Sequence, residues 1–164
     1  MDLKGTIVFS SGKSGDYDIF SLNFDSRHVD QLTSGEFWND CPKWSPDGQR
    51  IVFISNRTGT PEIWVMNADG TDERRVTGED RWHNTPDWSP DGQKFVFCAN
   101  YDGNVNIYTM NIDGTQRRQV TSYEAMDYTP QFSPDGTKII YTSKKEGNAD
   151  IWVYDSCSGQ STRL

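Results

Sequence analysis

The 164-residue sequence lacks several features that would place it in a common functional class. It has no apolar run of the roughly 18 residues that a membrane-spanning helix needs, and residues 1–5 do not read as a secretory signal. Its basic residues are also fewer than its acidic ones, and the net charge is −8 at pH 7. We therefore expect no membrane span and no nucleic-acid partner. The cellular location stays open at this point.

Residues that carry chemistry are also scarce. The three cysteines, Cys41, Cys98 and Cys157, do not form a Cys-x-x-Cys pair, so we expect free thiols rather than disulfides or metal ligands. The two histidines, His28 and His83, are too few for a histidine-rich metal site. The chain contains no Gly-x-Ser-x-Gly nucleophile motif. We therefore expect no catalytic residues, no metal and no cofactor.

What the sequence does contain is a repeat. The pattern Pro-x-Trp-Ser-Pro-Asp-Gly, with Phe for Trp in the last copy, occupies residues 42–48, 86–92 and 130–136, a spacing of 44 residues. An apolar run follows each copy, and the pattern Asn-x-Asp-Gly recurs at residues 67–70 and 111–114. A fixed period in the low forties is typical of β-propellers, in which each repeat forms one four-stranded blade.

The local chemistry of the repeat agrees with that interpretation. In Ser-Pro-Asp-Gly, proline fixes φ at the first corner of a turn, and glycine supplies the positive φ that closes a hairpin. The continuous apolar runs fit strands that are covered on both faces. We therefore predict an all-β fold, a β-propeller of about four antiparallel blades with strands a to d, and a single segment over residues 1–164. The predicted blades cover approximately residues 1–33, 34–77, 78–121 and 122–164.

The first blade lacks its inner strand a, because residues 1–6 match neither that strand nor its turn. Propellers typically close with about four to eight blades. We therefore expect a partial ring that belongs to a longer chain or is completed by an oligomer; two such arcs would give eight blades by cyclic symmetry. A closed ring of four blades is the alternative.

The full pattern adds Ile-Val-Phe after the first turn, and then Ile-Tyr/Trp-x-Met-Asn-x-Asp-Gly-Thr, and it resembles the TolB-type β-propeller repeat over residues 6–164. This resemblance implies one of three roles: a protein-docking platform of the bacterial envelope, the gating propeller of a prolyl-oligopeptidase-like enzyme, or the body of an oligogalacturonate lyase. The first would imply a periplasmic or other extracytoplasmic parent. We predict a non-catalytic protein-interaction scaffold. The alternatives are the propeller portion of such an enzyme, or an engineered or excised array of blades.

The binding surface is predicted on one face of the propeller. The a–b and c–d turns lie on one face and repeat closely, which indicates a structural role, whereas the d–a and b–c loops lie on the other face and vary. Variable loops on a rigid scaffold usually carry function. The d–a loops hold aromatic, acidic and amide side chains that suit a protein contact, although Trp38 and Trp82 could instead pack over adjacent blades. The candidate residues are Trp38, Asp40, Trp82, His83, Asn84, Tyr101, Asp127 and Tyr128.

One further position repeats in all four blades, at the start of strand c. Oxygen ligands arranged around a ring could attract Ca²⁺. However, strand c lies far from the propeller axis, so we expect local hydrogen bonds instead, and we expect any cation nearer the channel, at Asp40, Asn84 and Tyr128. The residues at the strand c position are Asp18, Glu62, Asn106 and Asp150.

Overall fold

The computed structural model describes residues 4–79 and 81–164, with every side chain except that of Ser14. Over these residues the chain forms four antiparallel sheets, and the one helix is a single 3-10 turn at Gly12–Ser14. This confirms the all-β propeller. No helix in this part of the chain has the length and hydrophobicity required to cross a membrane.

Each sheet is one blade, and its strands neighbour one another in chain order. Blade 1 contains β1 (Thr6–Ser11), β2 (Asp18–Asn23) and β3 (Val29–Gln31). Blade 2 contains β4 (Asn39–Trp44), β5 (Arg50–Ser55), β6 (Glu62–Asn67) and β7 (Arg74–Arg75). Blade 3 contains β8 (His83–Trp88), β9 (Lys94–Asn100), β10 (Val105–Asn111) and β11 (Arg118–Gln119). Blade 4 contains β12 (Asp127–Phe132), β13 (Lys138–Glu146), β14 (Asn148–Asp155) and β15 (Gln160–Arg163).

Blade 1 has three strands among the described residues because β1 corresponds to strand b of the other blades. It pairs with β2 as β5 pairs with β6, and no strand equivalent to β4 precedes it within the described range. The described residues therefore give blade 1 three strands, in the order predicted for strands b, c and d. Residues 1–3, which belong to the segment predicted to take that place, lie outside the described residues.

The inner strands β4, β8 and β12 share a bulge at the same repeat position. In β4, Asp40 pairs with Ile54 but Lys43 pairs with Val52, so the strand contains one unpaired extra residue. The bulged residues have positive φ, at 54° for Cys41, 46° for Thr85 and 51° for Thr129. A proline follows each of them, and bulges are among the few strand positions that tolerate proline.

The apolar core lies between the blades. Blade 2 packs on blade 3 through fully buried side chains that include Ile63 and Phe97, and blade 3 packs on blade 4 through Ile107 and Ile139. A smaller cluster around Ile19 joins blades 1 and 2. Burying one such side chain stabilises the fold by about 1.5–3 kcal/mol, which explains why the apolar runs recur in every repeat.

The connections divide between two faces. On one, which we call the turn face, the a–b and c–d turns meet: the Ala68 backbone N–H donates to Gln49 O over 2.9 Å, and the Ile112 N–H donates to Gln93 O over 3.2 Å. On the other, which we call the loop face, the d–a and b–c loops meet. There the Trp38 backbone N–H donates to the Asn56 side-chain oxygen over 2.8 Å.

Candidate functional site

The loop face is held rigidly by contacts between its loops. The Asn104 side-chain amide, in the b–c loop of blade 3, donates to Tyr123 O over 2.7 Å and to Ala125 O over 2.9 Å, in the d–a loop that enters blade 4. Near the end of β13, the Lys144 N–H donates to Met126 O of the same d–a loop over 3.2 Å. These bonds fix the loop backbones, so the side chains that project from them have defined positions.

The first residue of each inner strand is fully buried between blades. This position holds Asn39, His83 and Asp127, each with 0% of its surface exposed. The Asn39 amide donates to Asp18 Oδ1 of blade 1 over 3.2 Å, and the Thr33 hydroxyl donates to the same oxygen over 3.0 Å. The strand c residue therefore ties its own blade to the next one. Burial removes His83 and Asp127 from the surface that a partner can touch.

The other strand c residues also make local bonds. Glu62 forms an ion pair with Arg75 and accepts a hydrogen bond from the Thr58 hydroxyl over 2.9 Å. Asp150 lies 3.1 Å from Arg163 Nη2. Within residues 4–79 and 81–164, no group of three or more His, Cys, Asp or Glu side chains is arranged to hold a metal ion.

His83 and Tyr101 are two candidate residues that the structure brings into direct contact. His83 Nε2 lies 2.6 Å from the Tyr101 hydroxyl, and the Arg117 guanidinium lies over the Tyr101 ring, 4.0 Å from its centroid. Arg117 also forms an ion pair with Glu79. Burial lowers the pKa of His83 and raises that of Tyr101 to about 12. Both groups are therefore neutral at pH 7, and the pair supports the blade rather than acid–base chemistry.

The two candidate tryptophans are half-buried and pack between blades. Trp38 lies against the cluster that joins blades 2 and 3, and Trp82 lies against the cluster that joins blades 3 and 4. Tyr128 also contacts the latter cluster. Burial raises the pKa of Asp127, an effect that the hydroxyls of Ser143 and Thr121 partly offset. Much of the candidate set therefore stabilises the contacts between blades.

The wall of the channel is the second part of the site. A cavity of about 190 Å³ runs across the three bulges and is lined by Cys41, Thr85 and Thr129. Above it, Asp40 accepts hydrogen bonds from the Ser10 hydroxyl over 2.5 Å and from the Cys41 N–H over 2.7 Å. Burial and the nearby Asp40 carboxylate raise the pKa of the Cys41 thiol to about 11, so it is not a reactive nucleophile at pH 7.

Three exposed apolar side chains of the d–a loops were not among the predicted site residues. Phe37, Tyr123 and Met126 have 41%, 37% and 46% of their surfaces exposed, and all belong to d–a loops. The Lys145 ammonium lies 3.6 Å from the centre of the Tyr123 ring. The sequence signal for them is their place in variable loops, ahead of the first residue of an inner strand. Asp80, in another of these loops, lies outside the described residues.

Four sheets of this topology, packed face to face around inner strands, define the chain as part of a β-propeller. It belongs to the family of the TolB beta propeller domain, whose sequence model matches residues 4–89 and 80–164. None of the curated proteins matches the sequence.

Solved structures of the same fold agree. The TolB protein of Acinetobacter baumannii is 25% identical with a TM-score of 0.87, and the match covers 100% of this chain and 42% of that one. A putative TolB of Agrobacterium tumefaciens is 23% identical with a TM-score of 0.87, covering 96% and 60%. A puromycin-hydrolyzing peptidase of Mycobacterium tuberculosis is 10% identical with a TM-score of 0.76, covering 97% and 26%. This chain therefore spans less than two thirds of each of these proteins.

Proposed function

We propose that this chain is a non-catalytic protein-interaction scaffold whose contact surface is the loop face together with the channel mouth. The observation that carries the proposal is the exposure of Phe37, Tyr123 and Met126 on loops whose backbones are fixed by hydrogen bonds. Asp40 and Asn84 add polar groups at the bulges of the inner strands, where each side chain accepts a hydrogen bond from the N–H of the next residue.

Physical chemistry supports a protein as the partner. Aromatic and methionine side chains are enriched in protein interfaces. The aromatic ones bury much area at a small entropy cost, and methionine adapts to irregular surfaces. Fixed loops lose little conformational freedom on binding, so more of the contact energy is available for affinity. A nidogen/laminin complex contains a chain of similar fold, with a TM-score of 0.77 at 12% identity. That likeness concerns the fold alone, but it is compatible with a binding role.

The proposal is tested by photo-crosslinking in an extract of the source organism. A benzophenone side chain would replace one loop-face residue at a time: Phe37, Tyr123 or Met126. The controls carry the same group at Gln49 or Asp69, which are exposed on the turn face. We expect one protein to crosslink from the loop-face positions and not from the controls. Crosslinks confined to the controls, or absent from all positions, contradict the proposal.

We propose a second contact, between two copies of this chain. The outer surfaces of the first and last sheets expose Ile7 (43%) and Ile151 (44%). One repeat away, the equivalent residues Ile51 and Ile107 are fully buried by a neighbouring blade. The exposed surfaces therefore continue the interface that joins the internal blades, and two copies arranged head to tail would cover both of them.

Light scattering tests this contact. We expect a mass of twice 18.7 kDa for the chain, and a return to the single mass for Ile151→Asp, which places a charge in the interface. The matched control is Val29→Asp, at an apolar residue that is 50% exposed on an outer strand. A monomer at all concentrations, or a dimer unaffected by Ile151→Asp, contradicts the proposal.

A peptidase propeller is the second candidate function. It is favoured by the similarity in fold to the puromycin-hydrolyzing peptidase. In that case the chain would accompany a hydrolase domain, because its own sequence contains no nucleophile motif. Mixing the chain with a purified hydrolase domain from the same organism and measuring peptide cleavage distinguishes the candidates. Faster or more selective cleavage supports the peptidase role, and unchanged cleavage supports the scaffold.

A further inference from the structure

A groove opens on the turn face between blades 3 and 4, away from the proposed interaction surface. Its volume is about 660 Å³. Its apolar wall comes from Val120, Ile139 and Tyr154. Its charged lining comprises two cationic residues, Lys94 and Arg118, and two acids, Asp91 and Asp135. Because the blades repeat, the groove can be compared residue by residue with the junction between blades 2 and 3.

At the junction between blades 2 and 3, the c–d turn of blade 3 fills this space. Ile112 packs against the core cluster there, and the Arg74 guanidinium donates to Ile112 O from both Nη atoms over 3.4 Å. The turn lies so close to blade 2 that a Cβ built on Gly114 would be 2.6 Å from Val76 O. A turn with an aliphatic side chain, a backbone carbonyl and a glycine therefore closes that junction.

At the junction between blades 3 and 4, the corresponding turn cannot do the same. Ser156 stands one repeat after Ile112, and Ser158 stands one repeat after Gly114. A serine side chain in place of Gly114 would collide with the preceding blade. The turn instead closes later, with the Gly159 N–H donating to Asp155 O over 2.8 Å. An added Cβ at Gly159 would meet nothing nearer than the Tyr154 hydroxyl, 4.0 Å away.

The inner strand of blade 4 also contributes less to the junction. Trp88 donates its indole N–H to Lys43 O over 3.1 Å, and Arg50 lies over its ring, 5.1 Å from the centroid. Its counterpart Phe132 has a smaller side chain without an N–H, although its backbone N–H donates to Asp87 Oδ2 across the junction over 3.3 Å. Blade 4 thus has a phenylalanine and two serines where the filled junction has a tryptophan, an isoleucine and a glycine.

Blade 3 has cationic residues at the two positions whose arginines make these contacts in blade 2. Arg118 stands one repeat after Arg74 and Lys94 one repeat after Arg50. Both are exposed, and neither forms an ion pair with any residue that the structure describes. In the filled junction, hydrogen bonds from Thr115 lower the pKa of Asp113, and the Arg74 charge adds a smaller effect in the same direction, so an acid beside the aliphatic residue is compatible with this environment.

We infer that the groove between blades 3 and 4 binds an exposed β-turn of a partner protein, one that carries a branched aliphatic residue followed by an acid and a glycine. The aliphatic side chain takes the place that Ile112 occupies one repeat earlier, against Val120 and Ile139. Its carbonyl oxygen accepts from Arg118, and the acid lies near that guanidinium. The filled junction supplies the template for each of these contacts.

The test uses a cyclic peptide that contains Asn-Ile-Asp-Gly-Thr, titrated into the isotope-labelled chain and followed by NMR. We expect saturable shifts at the backbone amides of Arg118, Val120 and Ile139. A cyclic control with serine in place of isoleucine should not saturate. Arg118→Ala should weaken binding about tenfold or more, because it removes a charged hydrogen-bond donor. Lys144→Ala, at an exposed lysine on the loop face, should leave binding unchanged.

A second variant fills the groove from within. Ser156→Ile, Cys157→Asp, Ser158→Gly and Gly159→Thr together give blade 4 the turn of blade 3 at the same length. We expect this variant to lose peptide binding and to gain thermal stability. Equal binding of both peptides, shifts confined to the loop face, or unchanged binding in Arg118→Ala would overturn the inference.

Discussion

The contact between a c–d turn and the preceding blade leads to a sharply controlled prediction at Gly114. Replacing it with alanine would place a methyl group 2.6 Å from Val76 O, where backbone must move to admit it. The matched control is Gly103→Ala. Gly103 has nearly the same φ, 89° against 85°, but an added Cβ there would have no heavy atom within 4 Å.

The magnitudes follow from that geometry. An alanine at such a positive φ costs about 1–2 kcal/mol at either site. Forcing an extra methyl into a packed contact costs a further 1–3 kcal/mol or so, and only at Gly114. We therefore expect the free energy of unfolding to fall by about 1–2 kcal/mol in Gly103→Ala and by about 2–5 kcal/mol in Gly114→Ala.

Urea unfolding followed by tryptophan fluorescence measures both changes, and a thermal scan should show the same order. In a protein of this length each 1 kcal/mol lowers Tm by roughly 2–4 °C. Equal losses of stability in the two variants would refute the reasoning, because they would show that the turn does not press on blade 2.

Three further predictions concern buried polar groups and thiols. Because the pKa of Asp127 is raised in the folded chain, ionisation of this buried carboxyl lowers the stability of the fold as pH rises above 3.8. Asp127→Asn should therefore be about 1–3 kcal/mol more stable than the original chain at pH 7. Urea unfolding at both pH values should show that this advantage is lost near pH 4. Tyr101→Phe should destabilise by about 1–3 kcal/mol, because His83 Nε2 loses its partner, whereas Tyr17→Phe, at an exposed ring, should have little effect in the same assay. In a thiol titration with a chromogenic disulfide, Cys157 should react at once, while the two less exposed thiols should react only after unfolding.

The repeat predicts the blades and their strands well, because each blade must bury the same faces against its neighbours. Residues such as Ile63 and Ile107 recur at one spacing for that reason, and the structure places both in the contacts between blades. The positive φ of Gly48 likewise follows from its place in the Ser-Pro-Asp-Gly turn. These features depend on local chemistry and on period, both of which a sequence displays directly.

The site was harder to predict because exposure depends on contacts between blades. His83 and Phe37 both fall in segments that the sequence assigns to variable d–a loops, yet one is fully buried and the other is 41% exposed. The difference arises from strand register, since His83 begins an inner strand and points into the junction. The groove was likewise hidden, because Ser158 blocks a close approach only once the preceding blade is in place.

The central claim is that the repeating frame supports a protein-binding loop face. The most direct test measures the affinity for the crosslinked partner, purified, by calorimetry. We predict that Tyr123→Ser and Met126→Ser each weaken binding by about tenfold or more, as expected when an apolar anchor is removed, while Gln49→Ser and Asp69→Ser on the turn face leave it unchanged. Unchanged affinity in both loop-face variants, with a loss in either turn-face variant, would contradict the account.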